Sequence, residues 1–495
     1  MSRLIVILAG FLLLSSSNSW YRSSNPIGYE QIQTLDFVRA SQGETALLNQ
    51  IVERASEQDD IYWLQQAAQL GHEEALYRLA LLAKDDTQRL KWLALAADAG
   101  IAAAQFELSL LSNHQQQRSD LLQASAEQGY PAAQHALANW FLLNQNQIAA
   151  IEWLGKSAAH YPQDAFSLAN IYWLDKQYQQ AIYWYQVAAK SNHQEAQQFL
   201  NVAVNEKALS LAEANQQTAL FDDLKTNGSV TCAKHILPVS LSLTNQVQAI
   251  EIVETFNTDS RFNNIPICFS KPMWLENTKA LCEQQVLAGR RRTVCDVTQL
   301  ETLIRNNNIT HIIVLLPEGR AYVNAGLMYL SVAASYSLFV HELAHFAGFA
   351  DEYPINDELA KIHCAEQTAP NLLFDGELTY APSDRLINWQ ALVDTGEDSS
   401  ELSIHVARTC NNAGQNAYKI TDQRTFMEFH DTGNIPMAYQ VMWRQQVINK
   451  PHWYPVAINL ARHYELQNEY AAEAHWRAFA ELQRGLGAEA KVSAP

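Results

Sequence analysis

Apolar residues return at helical spacing through the first half of the chain, and they return in register. Trp63-Leu64, Trp92-Leu93, Leu121-Leu122, Trp153-Leu154 and Trp184-Tyr185 each open a helical segment, most of them running into an alanine pair such as Ala67-Ala68, Ala96-Ala97, Ala158-Ala159 or Ala188-Ala189. Eight residues beyond each anchor stands Gly71, Gly100, Gly129, Tyr161 or Asn192. Gly and Asn accept the left-handed backbone with which a helix turns back, and four of these five positions obey that rule. Ala75, Ala104, Ala133, Ala165 and Ala196 then open a partner helix with a side chain small enough for close approach. A period of 29 to 32 residues, one helical hairpin per period, predicts an α-solenoid in which each unit buries its apolar face only against its neighbours.

The register fails over residues 209–229, where Asp222, Asp223, Asn227 and Gly228 are turn formers, and this stretch reads as a linker. Beyond it the pattern alternates. Residues 236–243, 265–269 and 312–316 read as strands, 246–256 and 297–305 as helices, and 322–332 as an edge strand before a helix that starts near Ser335. That order predicts an α/β domain over 230–447 with a mainly parallel sheet and an antiparallel edge strand. Residues 454–483 return to helix, with Ala457, Leu460, Ala461 and Tyr464 followed by Tyr470, Ala471, Ala474 and Ala478. They predict one more hairpin within 448–495, which either caps the second domain or folds back onto the repeats.

The W-L-x-x-A-A-x-x-G pattern followed by A-x-x-x-L resembles the Sel-like class of tetratricopeptide repeats, within a first domain of 20–208. The resemblance implies a surface offered to a protein partner, or a helical shoulder that props up its neighbour.

Chemistry concentrates at His341-Glu-Leu-Ala-His345. Two histidines at i and i+4 share one helix face and can ligate one metal ion, with Glu342 beside it as general base, which is the HExxH arrangement of zinc hydrolases. Gly348 can turn the chain back with a positive φ and bring Asp351 in as third ligand, leaving a fourth position for water. The spacing H-E-x-x-H-x-x-G-x-x-D resembles the metzincin pattern with Asp in place of the usual third His. Ala350-Asp351-Glu352-Tyr353 is similar, more narrowly, to the metalloendopeptidases of the IgA-peptidase type. In that family the D-E-Y tripeptide lies about one residue farther from the second His, which leaves Glu352 as an alternative ligand. The resemblance implies a zincin fold, one Zn2+ per chain and a methionine turn beneath the metal, for which Met427 is the equivalent. Tyr353 is a candidate to orient a ligand or stabilise an oxyanion, and His430 a candidate substrate-side or supporting residue.

Composition narrows the setting. A net charge of −18 argues against a nucleic-acid partner. Arg3, an apolar run from Leu4 to Leu14 and the small residues to Ser19 have the layout of a signal peptide over 1–19, too short to span a bilayer. The expected destination is the periplasm or the extracellular space, with no integral membrane span after cleavage. Cys232, Cys268, Cys282, Cys295, Cys364 and Cys410 all lie in the second domain, which suggests disulfides. The connectivity is open from sequence; the simplest pairing joins neighbours and ends with Cys364 to Cys410. Arg290-Arg291-Arg292 reads as a solvated cationic loop. Together these features predict an exported zinc-dependent metalloendopeptidase whose repeats recruit a protein substrate or partner. The alternative is a repeat-based scaffold with a non-catalytic zincin domain.

Overall fold

The computed structural model describes residues 34–221, 232–275, 281–287, 290–378, 389, 404–449 and 454–485. The signal segment and the turn formers Asp222, Asp223, Asn227 and Gly228 lie outside them. The chain divides into two compact units between Gln197 and Gln198.

The first unit is helical throughout its described elements. Two helices, Thr34–Ser41 and Thr45–Glu57, precede the hairpins and carry none of the repeat anchors. The first four hairpins are Ile61–Gln69 with Glu73–Leu82, Asp86–Asp98 with Ala102–Leu111, Gln115–Glu127 with Pro131–Leu143, and Gln147–Ser157 with Pro162–Leu174. A fifth, Tyr178–Lys190 with Gln194–Asn205, crosses into the second unit. Leu64, Leu93, Leu122, Leu154 and Tyr185 are buried at the repeated anchor position, and Ala75, Ala104, Ala133, Ala165 and Ala196 are fully buried at the start of each partner helix. Gly71, Gly100, Gly129 and Asn192 take φ of +83°, +96°, +84° and +61°. Tyr161 departs from this pattern because its turn is entered differently: it has φ −123° and Pro162 supplies the first helical position.

The second unit holds a six-stranded sheet built from β1 (Lys234–Ser240), β2 (Ile267–Phe269), β3 (Met273–Trp274), β6 (His311–Leu316), β7 (Tyr322–Asn324) and β8 (Leu327–Ser331). Its order is β2-β1-β6-β8-β7, with β3 also on β1; every pair is parallel except β7 against β8. Here the expectation of a single edge strand over 322–332 is corrected. Ala325 and Gly326, at φ +40° and +82°, reverse the chain, so the wholly buried β8 runs parallel inside the sheet and only β7 is the antiparallel edge. The cationic run is likewise no loop: β4 (Cys282–Leu287) and β5 (Arg290–Cys295) pair as a two-stranded ribbon. A small sheet of β9 (Leu373–Phe374), β10 (His405–Ala407) and β11 (Ala417–Lys419) completes the strands.

β6 is buried on both faces, which is why it reads as an unbroken apolar run. Ile313 and Leu315 face one core together with Phe256 of the Leu243–Thr258 helix and Phe339, Val340 and Leu343 of the Tyr336–His345 helix. Ile312, Val314 and Leu316 face a second core with Leu303, Leu460, Trp476 and Phe479. The C-terminal hairpin, Ala457–Leu466 and Tyr470–Arg484, therefore covers the face of the sheet opposite the His341 helix. The stretch read as a linker contributes too. Ser210 and Glu213 form a capping box on the helix Leu211–Asn215, and Asn215 hydrogen-bonds Gln299 O and Leu303 N at 2.7 and 3.1 Å. Disulfides join Cys232 to Cys268, Cys282 to Cys295 and Cys364 to Cys410, the neighbour pairing expected from sequence. Among the described residues no helix is long and apolar enough to cross a membrane.

Candidate metal centre

The helix Tyr336–His345 starts where Ser335 Oγ accepts a hydrogen bond from Leu338 N–H, and its apolar side, Phe339, Val340, Leu343 and Ala344, is buried. It ends at Gly348, φ +83°, with Gly348 N–H donating to His345 O and Phe349 N–H to Ala344 O, the Schellman pairing that a left-handed residue permits. Lys234, buried at the start of β1, donates from Nζ to Phe346 O at 2.7 Å and places a cation at the helix's C-terminal carbonyls.

Both histidines have one ring nitrogen committed to backbone. His341 Nδ1 lies 2.9 Å from Phe426 O and His345 Nδ1 lies 2.8 Å from Phe349 O. A carbonyl only accepts, so each Nδ1 carries a proton, and in the neutral ring the lone pair is left on Nε2. Those two Nε2 atoms face Asp351 Oδ1 at 3.1 and 3.4 Å. The three ligand atoms all lie within 4.8 Å of one another. Tetrahedral ligands at roughly 2.0–2.1 Å from a zinc ion stand roughly 3.3 Å apart, so this donor set fits one. Asp351 Oδ1 is also buried with no hydrogen bond of acceptable geometry reaching it, an orphan that an ion would satisfy. Burial alone would lower the His345 imidazole, but the Asp351 carboxylate and Glu342 outweigh it and push its pKa up to about 9. Burial works against the Asp351 charge as well, and the two histidines overcome it and hold the carboxyl well below its usual range.

Glu352, the alternative ligand from sequence, points elsewhere. Its fully buried carboxylate accepts from Tyr439 OH at 2.5 Å and Asn371 Nδ2 at 3.0 Å on Oε1, and from Thr425 Oγ1 at 2.6 Å on Oε2. Lys419 Nζ stands 3.6 Å from Oε2. The backbone is tied as well: Glu352 N–H donates to Met427 O and Arg408 N–H to Glu352 O, both at 3.0 Å. Anchored by side chain and backbone, Glu352 holds the segment in which the neighbouring Asp351 meets the histidines. Met427 itself is fully buried in the core with Val340, Ala344 and Phe349. Its predecessor Phe426 supplies the carbonyl for His341.

A cleft of about 660 Å³ opens beside the histidines, lined among others by His341, Glu342, Tyr353, His430, Arg320 and Glu428. Glu342 is buried in its wall; desolvation raises its pKa, opposed by the charges of His345 and His341. Tyr353 lies nearly parallel to the His341 ring, centroids 6.4 Å apart, and its phenol is raised, first by burial and then by Asp351. The His430 ring is 6.3 Å from that of His341, with Nδ1 2.9 Å from Asp431 Oδ1. The sequence residues His341, Glu342, His345, Asp351, Tyr353 and His430 thus come together. Sequence reasoning missed the carbonyls of Phe426 and Phe349, the anchors Asn371, Thr425, Lys419 and Tyr439, and Lys234 under the helix end. A backbone carbonyl carries no sequence signal, and Lys234 sits where a strand pattern promises an apolar residue.

No protein-family model matches the chain. No curated protein matches it either. Its solved structural neighbours include a protective antigen of uropathogenic Escherichia coli that displays an SLR fold, at 24% identity and TM-score 0.28, covering 34% of this chain and 43% of that one. A Sel1 repeat protein from Oxalobacter formigenes follows at 21% identity and TM-score 0.27, covering 31% of this chain and 75% of that one. The chain therefore spans less than half the length of the first neighbour. Likeness of that degree adds no argument to the hairpin geometry, which stands on the chain's own burial and backbone angles.

Proposed function

We propose that the chain joins a protein-binding repeat array to a zincin-like, metal-dependent peptidase. The repeat half rests on the recurring hairpins, each with a buried anchor and a buried partner-helix alanine. The peptidase half rests on a single observation, the convergence of His341 Nε2, His345 Nε2 and Asp351 Oδ1 beside a cleft that also holds Glu342. A divalent metal held there supplies Lewis acidity to a water molecule and to a scissile carbonyl. The chain's own residues do the rest. The two Nδ1 hydrogen bonds keep the imidazoles in the ligating tautomer, and the buried Glu342 carboxylate, its pKa raised, takes a proton from water and passes it to the leaving amine. Tyr353 and His430 stand on the cleft wall where the polarised carbonyl oxygen needs a donor. Export before cysteine oxidation accords with the three disulfides of the second unit.

The second reading is a repeat-based protein-interaction scaffold with a non-catalytic zincin domain, which the hairpin repeats alone support. Elemental analysis of the full chain and digestion of a mixed peptide library separate the two. The peptidase reading expects one zinc per chain, chelator-sensitive cleavage, and a Glu342→Ala variant that keeps zinc and loses turnover. Bound zinc with no cleavage of any peptide, or no bound metal at neutral pH, leaves the scaffold.

A further inference from the structure

The β4–β5 ribbon stands at the edge of the main sheet beside the cleft, paired from Cys282 opposite Cys295 to Leu287 opposite Arg290 and closed at its base by the Cys282–Cys295 disulfide. Two tyrosines seat it there. Tyr322 OH donates to Thr293 O at 2.5 Å, Cys295 N–H donates to Tyr329 OH at 3.3 Å, and the two rings stack with centroids 4.5 Å apart. The Arg292 guanidinium lies over the outer Tyr322 ring, 4.4 Å from its centroid. Gly319 passes under Thr293 with φ +137°, and the next residue, the exposed Arg320, is part of the cleft wall.

Arg320 thus lines the cleft, and Arg292 stands next to it, over the ring of Tyr322, the residue that follows cleft-lining Ala321. Among the described residues neither has a carboxylate within ion-pair distance, although the chain carries 52 acidic residues against 34 Lys and Arg. The other acid of the cleft wall is already matched: Glu428 holds Lys419 at 2.7 Å and Arg408 at 3.2 Å. Arginines with no carboxylate partner on an acidic protein, Arg320 in the cleft wall and Arg292 on the disulfide-closed ribbon beside it, call for carboxylates from the ligand.

We propose that the cleft selects acidic peptide segments, with Arg320 and Arg292 recognising aspartate or glutamate side chains of the substrate. This rests on the peptidase reading for its turnover and on the cleft alone for its binding. Two measurements on the full-length, zinc-loaded protein test it. In a mixed peptide library the cleaved sequences are expected to be enriched in Asp or Glu near the cut, and Arg320→Glu is expected to lower kcat/KM on an acidic peptide by about tenfold while favouring lysine-containing ones. In the Glu342→Ala variant, fluorescence anisotropy compares a labelled peptide alternating glutamate and alanine with its glutamine counterpart. The glutamate peptide is expected to bind more tightly, by a margin that shrinks with salt, shrinks again with Arg292→Gln and vanishes with Arg320→Glu. Equal affinity for the two peptides, or a margin unchanged by Arg320→Glu, overturns the proposal. Because binding is read without turnover, loss of the peptidase reading leaves this measurement intact, and cleavage without acidic preference overturns the inference alone.

Discussion

Asp351 and Glu352 are chemically near-identical neighbours given opposite tasks by what surrounds them. Asp351 meets two ring nitrogens, and Glu352 meets three neutral hydrogen-bond donors and a lysine. Removing one of those donors takes a hydrogen bond from a buried carboxylate, so Tyr439→Phe is expected to cost about 1–3 kcal/mol in urea unfolding. The metal ligands bring a pH dependence with a definite sign. In the metal-free chain the raised His345 contributes stability that is fully present below its ordinary value of 6.5 and lost as pH rises through about 9. Zinc needs the same imidazole deprotonated, so its apparent affinity is expected to fall as pH drops below about 9, with one proton released per ion bound. Calorimetry in buffers of different ionisation enthalpy counts that proton; a release of none would mean that His345 is not displaced. At this scale the convergence of His341, His345 and Asp351 was legible, because i, i+4 histidines followed by glycine and an acid leave few alternatives. The choice between Asp351 and Glu352 was not, since it is made by Asn371, Thr425, Lys419 and Tyr439, each distant in sequence.

Among the elements, the helix carrying the histidines depends on the way it stops. Gly348 at φ +83° is the hinge between the helix and the returning Asp351. An added Cβ there costs about 1–2 kcal/mol. Gly348→Ala is accordingly expected to lower unfolding stability by that amount and to weaken zinc binding in competition with a fluorescent chelator, while Gly348→Asn, which tolerates the left-handed region, loses less of both. The repeat helices were legible because their anchors recur and each repeat turns back at a fixed interval; the second anchor residue and the partner-helix alanine of every repeat are buried. Tyr161 shows the limit of that pattern, since proline at the next position does the work of a glycine. The β7–β8 reversal escaped notice because Ala325, which takes φ +40°, is no turn former by composition. The ribbon escaped because charged residues on a two-stranded element have no core face to alternate against.

At the scale of the whole second unit, the sheet is held from both sides, and the side away from the metal ligands belongs to the C-terminal hairpin. A Cβ on Gly326 would lie 2.3 Å from Val456 N, and Val456 N–H donates to Thr310 O at 2.8 Å. Backbone meets backbone there, so Gly326→Ala, strained also by φ +82°, is expected to cost about 3 kcal/mol in denaturant unfolding while the surviving folded protein still binds zinc. Wild-type stability in that variant would mean the hairpin is free to shift. The sequence left open whether this hairpin covers the sheet or returns to the repeats, because its alanine and aromatic stripe suits either surface. The anchoring of Glu352 has a consequence in time. A nascent chain that has emerged as far as Tyr353 already carries every ligand, yet Asn371, Lys419, Thr425, Phe426 and Tyr439 are still to come. Synthesis runs from the N-terminus, so the donor set exists as a fixed geometry only once nearly the whole second unit has been made. Under the proposed function metal loading is then expected to be a late step of maturation, and a chain truncated before Thr425 is expected to retain the full motif and hold no ordered site.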